Sequence, residues 1–447
     1  WTAVWLCVTI AVVYAILSGF WGVVITDIVQ FFIAMFGSIA LAIIALNHIG
    51  GMDTLLQKLS SLLGTDIIHE NTLKFIPPIP DNSIGSLSFW ESPFSKFLIF
   101  ITVMWWSHHG TDGGGYIIQR MSSAKNEKHA LLATLWFNLA HYAVRVWPWI
   151  IVGVVSIVMF PVIPDSYSEL GTKAGYPLVM NMLLGPGMKG ILIVSFLAAF
   201  MSTIDTHLNW GASYIINDIY KRFFKPNESE RHYVVVSKII TVILMILAAF
   251  TALKMQSISK AWAFIFSMGA GIGLVLILRW FWWRINAWSE ITALSTSIII
   301  TVLLEIVAWW QVTTKEGSYS LFGNEPVLFG VQIQVHHKLI IIVPLAILSW
   351  LIATFITKPE PTEHLQKFYQ KVQPGGWWGP ITSNFTHTLQ PVSEGILIQW
   401  AAGVMMIYGF TFGIGNLIFM QYSSSILLFG CAFIGAYIIW NRSISKL

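Results

Sequence analysis

Lys189-Gly190-Ile191-Leu192-Ile193-Val194-Ser195-Phe196-Leu197-Ala198-Ala199-Phe200-Met201-Ser202-Thr203-Ile204-Asp205-Thr206-His207-Leu208-Asn209-Trp210-Gly211-Ala212-Ser213 is an apolar segment with polar and small residues set into it at regular intervals. Ser195, Ala199, Ser202, Thr206, Asn209 and Ser213 recur at alternating steps of four and three, which puts them on one side of an α-helix. That side cannot face hydrocarbon, because hydroxyls and amides inside a bilayer need partners, and Thr203 and Asp205 add to the polar content of the same turns. Two readings stay open for it: close helix packing through small residues, and a wet binding surface.

Composition gives the class. The 447 residues are 56% hydrophobic and only 10% charged, with a mean hydropathy of +0.70. A soluble protein of this length is far more polar, so the sequence predicts an all-α polytopic membrane protein. Apolar runs of roughly twenty residues predict spans near 1–18, 22–46, 94–118, 130–160, 189–213, 234–256, 260–283, 288–310, 337–357, 395–418 and 424–441. Arg120, Lys125, Lys128, Lys221, Arg222, Lys225, Arg231, Arg279, Arg284, Arg442 and Lys446 fall on one side of these spans, which the positive-inside rule makes cytoplasmic. The basic residues are dispersed through short loops, so nucleic acid is not an expected partner. The two cysteines, Cys7 and Cys431, lie within spans and imply no disulfide framework or zinc site.

The chain opens at Trp1 already inside a span, and is read as an N-terminally truncated piece with no signal peptide to infer. Its longest stretches outside the spans, 48–93, 311–336 and 358–394, leave no room for a kinase, nucleotide-binding or receptor domain. The inner stretch pairs an amphipathic run, Glu363 to Tyr369, with the turn-rich Pro374-Gly375-Gly376-Trp377-Trp378-Gly379, and both are expected to rest on the membrane surface. Asn384-Phe385-Thr386 matches a glycosylation sequon but falls on the predicted cytoplasmic side.

The third span contains a break. His108-His109-Gly110-Thr111-Asp112-Gly113-Gly114-Gly115-Tyr116 holds four glycines within six residues, each costing a helix about 1 kcal/mol relative to Ala. An unwound segment follows, of the kind that lines the central sites of secondary transporters; the other reading is that the glycines simply end the span. Ionisable residues inside spans are costly unless paired or solvated. Asp27 shares a face with Gln30, Ala34 and Ser38. Asn138, His141, Arg145 and Trp149 line one face of the fourth span, and Arg145 is expected to pair with Asp112. Glu305, near the outer end of its span, is expected to reach water. His108, His109 and Asp112 lack the ligand set of a metal site.

Two local patterns carry a resemblance. The run from Tyr14 to Gln30, with Gly19, Gly22 and Thr26-Asp27-Ile28-Val29-Gln30, resembles the signature of the sodium/solute symporters, a glycine-containing turn leading into a Thr-Asp-x-x-Gln helix. Lys189-Gly190-Ile191-Leu192, Ala198 to Asn209, and Asp218-Ile219-Tyr220-Lys221-Arg222 resemble that family's most recognisable helix and its cytoplasmic exit. Between them, Tyr116-Ile117-Ile118-Gln119-Arg120 and Ala124-Lys125-Asn126 resemble the loop after its broken sixth core helix.

The resemblance implies a leucine-transporter-type fold of two inverted repeats, present in part, with core helices one to three missing. Residues 1–47 would close the first repeat with core helices four and five, and 48–93 would form an extracellular loop. Residues 94–284 would make the second repeat, core helices six to ten, and 285–447 the peripheral helices, with the cytoplasmic loop near 358–394. The family's sodium site, carried over, falls on Ala199, Ser202 and Thr203, whose neutral oxygens suit a hard cation that must leave each cycle. Asp27 matches an acidic residue on the sodium exit path; a helix cap is its structural alternative. Candidate solute contacts are Trp105, His109, Asp112, His141, Arg145, Trp262 and Phe266. The segment from His108 to Gly115 departs from the family's sugar transporters, and an Arg-Asp-His cluster suits a carboxylated or zwitterionic solute. The expected function is sodium-coupled import of a small organic solute by alternating access, without enzymatic activity, in a plasma membrane of bacterial inner-membrane type. A membrane-embedded sensor on the same fold is the alternative, and a polytopic enzyme using the intramembrane histidines a distant third.

Overall fold

The computed structural model describes residues 2–64, 76–81, 84, 86–255, 258–314, 324–383 and 395–446; for 2–4, 12–24, 87, 116, 168, 169 and 446 the backbone alone is considered. The sequon at Asn384 lies outside these residues. Helices dominate. In chain order the main ones are α1 (Thr2–Ile49), α2 (Pro93–Ile99, continuing through a π-helical turn Phe100–Met104 to Trp105–Ser107) and α3 (Gly114–Ser122). Next come α4 (Glu127–Met159), α5 (Pro186–Phe224), α6 (Glu230–Lys254), α7 (Ile258–Met268), α8 (Gly273–Phe281) and α9 (Ala287–Thr313). The chain continues with α10 (Val335–Ile356), α11 (Thr362–Val372), α12 (Ile396–Ile418) and α13 (Tyr422–Arg442). Among the described residues eight helices are long and apolar enough to cross a membrane, or nine if α7 and α8, bent by 42° at their junction, count as one span.

The expected first two spans are one helix. α1 runs unbroken over 48 residues, including Gly19 and Gly22. A glycine weakens a helix by about 1 kcal/mol, and with no proline in this stretch nothing else obliges the chain to turn. The expected third span is indeed interrupted: α2 ends at Ser107, His108 is extended (φ −88°, ψ 164°), and helix resumes at Gly114.

The chain divides into two units. Unit 1 comprises residues 1–73, 126–253 and 401–447. Its core is the packing of α1 on α4 and α5, where Leu41, Ala42 and Ala45 meet Val152, Val155 and Leu192. Ser195 is 3% exposed and its hydroxyl donates to Ile33 O at 3.1 Å or to Ile191 O at 3.0 Å. Trp149 Nε1 donates to Ser38 Oγ at 2.8 Å. Where backbones come this close, short polar side chains are satisfied across the contact, as packing in a bilayer requires.

Unit 2 comprises residues 74–125 and 254–400. α9 and α10 pack against each other through short polar pairs, Ser289 with Thr354 at 2.7 Å and Thr296 with Ser349 at 2.8 Å. α9 starts sharply because Asn286 and Ser289 form a reciprocal capping box. Glu305, expected to reach water, is largely covered instead: Lys338 Nζ lies 3.1 Å from its Oε1, with the side chains 6% (Lys338) and 11% (Glu305) exposed. The inner segment after α10 is anchored to the end of α8. Trp377 N donates to Phe281 O, Trp378 Nε1 donates to Trp280 O at 3.1 Å, and Trp378 packs with Leu365, Tyr369 and Ile381. The apolar face of α11 therefore packs on protein at the end of α8. Trp378→Ala would remove this anchor, and faster proteolytic nicking within 362–383 is the expected result.

Candidate functional site

The break after α2 is built from backbone groups that find local partners. Thr111 Oγ1 donates to Trp105 O at 2.8 Å, satisfying a carbonyl left over at the helix end. His108 Nδ1 accepts from Gly110 N at 2.8 Å, and Asp112 Oδ1 accepts from Gly114 N at 3.0 Å. Gly113 and Gly114 have φ of 94° and 63°, which only glycine adopts without strain.

A second break, residues 269–272 between α7 and α8, meets the first within unit 2. A Cβ on Gly269 would lie 2.4 Å from His109 Nδ1, and one on Gly273 would lie 2.2 Å from Trp106 O and 2.7 Å from His108 O. The two interruptions are thus in direct contact, with His109 against the turn at Gly269. Around them His108 packs edge-on to Phe266 at 5.9 Å, Phe266 stacks on Trp262 at 5.5 Å, and Trp105 stacks on Trp400 at 5.6 Å. His109, Asp112, Phe266 and, one ring further out, Trp262 are therefore gathered in one neighbourhood.

The partner of Asp112 is not the expected one. Its Oδ2 receives Arg279 Nη2 at 2.7 Å, and Arg279 Nη1 is 3.6 Å from Glu290 Oε2. Sequence reasoning took Arg279 only as a topological basic residue. Arg145 instead lies 3.3 Å from His141 Nε2 through Nη2, with its guanidinium 5.3 Å over the Trp149 ring. His141 sits in a π-helical turn, Leu139–Val144, whose i→i+5 pattern closes with Arg145 N donating to Ala140 O at 2.9 Å. Such widened turns recur at functional sites, and no residue-type pattern would have revealed this one.

In unit 1 the candidate sodium residues lie on α5. Ala199 and Thr203 are exposed and Ser202 is half-buried, in contrast to Ser195 and Thr206 of the same stripe, which are buried. The stripe is therefore mixed: part packs and part stays open. Thr203 Oγ1 donates to Ala199 O at 2.9 Å, so turning the hydroxyl proton away would present both oxygens to one cation, with Ser202 on the adjacent position. Those neutral oxygens fit a hard monovalent ion. Asp27 is half-buried in the middle of α1, where there is no helix end for it to cap. Below Thr203, Asp205 is 1% exposed and accepts from Asn209 Nδ2 at 2.8 Å. No group of three or more His, Cys, Asp or Glu residues that could hold a metal ion occurs among the described residues.

The described residues thus combine long apolar helices, two interrupted helices in contact within unit 2, and, in unit 1, a hydroxyl-carbonyl cluster on an exposed face of α5. Residues 1–300 match the sodium:solute symporter family, and the chain belongs to that family. It is 25% identical over 406 residues to sodium/glucose cotransporter 4 of Danio rerio, covering 84% of this chain and 57% of that protein. It is 24% identical over 300 residues to the osmoregulated proline transporter OpuE of Bacillus subtilis (strain 168), covering 65% of this chain and 54% of that protein. The sodium/proline symporter of Escherichia coli (strain K12) is 22% identical over 316 residues, 69% of this chain and 57% of the relative. The chain thus spans little more than half the length of the curated relatives it matches. Among solved structures it is similar to a substrate-bound outward-open state of a Na⁺-coupled sialic acid symporter, with a TM-score of 0.53 and 17% identity over 80% of this chain and 66% of that one. That likeness gives the fold, the leucine-transporter type that the resemblance implied.

Proposed function

We propose that the protein is a sodium-coupled symporter that imports a small organic solute by alternating access, in the plasma membrane and without enzymatic chemistry. The observation that carries this reading is the contact between the two helix breaks, at His109 against Gly269 and Gly273 against Trp106 and His108. Freed backbone groups there are the material from which transporters of this fold build their central sites. In this reading Na⁺ takes oxygens from Ala199, Ser202 and Thr203, and Asp27 attracts it along the inward exit. Sodium binding favours the outward-open state, the solute follows, and by linkage each tightens the other.

The solute contacts proposed in unit 2 are Trp105, His109, Trp262 and Phe266; in unit 1, taken by itself, His141 and Arg145 are proposed as solute-binding residues. Arg145, beside His141 and Trp149, carries the planar donor fork that suits a carboxylate-bearing or zwitterionic solute. Asp112, engaged by Arg279, is left out of this set. A bacterial inner membrane remains our proposal for location, resting on the short loops.

The test is uptake by the full-length parent in proteoliposomes, with labelled amino acids, sugars and organic acids under an inward sodium gradient. Ser202→Ala/Thr203→Ala is expected to remove sodium-driven uptake while leaving the melting temperature close to wild type, because both side chains lie outside the buried core. Unchanged uptake in this variant would reject the sodium site, and no movement of any solute would favour a sensor on the same fold.

A further inference from the structure

The geometry points to Arg279 as a positioning residue that joins the two helix breaks of unit 2 into a single moving part, with Asp112 as its anchor and not a solute ligand. Only the transport consequence rests on the symport reading. α8 is a nine-residue helix attached to the first break at two places. Its start is seated on the carbonyls of Trp106 and His108 at Gly273. Its last turn carries Arg279, whose guanidinium holds Asp112 at 2.7 Å. Gly273 and Arg279 are six residues apart, about 9 Å along a helix axis. One contact would be a pivot; two separated by that distance fix the orientation of α8 against the break.

Both oxygens of Asp112 are committed. Oδ1 accepts from Gly114 N, starting α3, while Oδ2 receives Arg279. The carboxylate is largely buried, its side chain 11% exposed, and a charge-assisted bond of this length in such a place is stronger than a neutral one. The opposing groups are few: Arg279 has Glu290, on the first turn of α9, as its second and longer contact at 3.6 Å. A solute arriving at the break would have to displace the guanidinium to reach Asp112, whereas His109 is exposed. The outcome is a rigid pair of inner half-helices, α3 and α8, that keep their separation when the transporter changes state.

The experiment uses the full-length parent in nanodiscs with native cysteines replaced and spin labels at Met121 and Trp280, which are 43% and 39% exposed. In sodium and in choline buffer the wild type is expected to give one unchanged distance. Arg279→Gln and Asp112→Asn should each broaden that distribution; the asparagine keeps an acceptor for Gly114 N, so the break itself stays folded. Glu290→Gln should leave it as in wild type. ²²Na⁺ binding by Arg279→Gln should stay within about twofold of wild type while the turnover of sodium-driven uptake falls by about ten- to a hundredfold, the scale of a slight misplacement of binding groups. A wild-type distance that moves with sodium, or an unchanged distribution in both Arg279→Gln and Asp112→Asn, overturns the proposal. So does a loss of sodium affinity that tracks the loss of turnover. If the wild type shows no sodium-driven uptake the symport reading fails, and the distance measurements still judge the tie.

Discussion

Gly273→Ala is expected to lower the melting temperature and abolish transport, whereas Gly269→Ala, four residues away, is expected to spare stability and impair transport alone. At Gly273 an added Cβ would sit 2.2 Å from Trp106 O, 2.6 Å from Ser107 C and 2.7 Å from His108 O. All three are backbone atoms, so no rotamer change relieves the overlap, and the two broken helices must separate. Overpacking of a tight core costs about 1–3 kcal/mol, and a backbone obstacle puts this position at the upper end or beyond. At Gly269 the obstacle is the ring of His109, 2.4 Å away at Nδ1. That ring is exposed and can turn aside. It would then no longer present the same face at the break. Thermal unfolding in detergent and uptake in proteoliposomes, measured on both variants, separate the two effects. A wild-type melting temperature for Gly273→Ala would mean that α8 is not seated on the break as described.

The first break could be read from the sequence because four glycines in six residues leave a helix little to stand on, and the structure makes two of them left-handed. The second was not read, since the apolar run over 260–283 looks like one span although the structure bends it by 42°, and the meeting of the two could not be read either, since more than a hundred and fifty residues separate them and no local pattern encodes a tertiary contact. Asp112 was matched to Arg145 because helical spacing puts Arg145 on a polar face of the next span. Arg279, at the inner end of its span, looked like a topological marker, and charge counting has no means of distinguishing a flanking arginine from a paired one. The amphipathic period of α11 correctly gave one apolar face, and periodicity is silent on whether lipid or protein covers it. The small-polar stripe on α5 was likewise legible as a stripe. Its division into Ser195 and Thr206, which are buried, and Ala199 and Thr203, which are open, depends on where α1 crosses it.

Lys338→Met is expected to destabilise the protein by about 3–5 kcal/mol, the range for removing one partner of a buried ion pair. The pair with Glu305 spans α9 and α10 at 3.1 Å with side chains 6% and 11% exposed, and the substitution would set an apolar side chain against a largely buried carboxylate. Glu305→Leu should cost a similar amount by leaving the ammonium buried. The double variant should recover most of the loss, because replacing both members of a buried pair with apolar groups is often neutral. Function need not recover with it. α9 and α10 cradle the second break: a Cβ on Gly271 would lie 2.2 Å from Ala346 Cβ and 2.3 Å from Ser297 Oγ, so a small slip of either helix displaces the turn that faces His109. An ion pair specifies one register between two apolar helices where leucine and methionine would accept several. The double variant should therefore melt near wild type yet transport poorly. If the three melting temperatures are additive, the pair is not a coupled unit; if stability and uptake return together, the pair contributes stability alone and the register of the cradle is set by Ser289, Thr296 and their partners on α10.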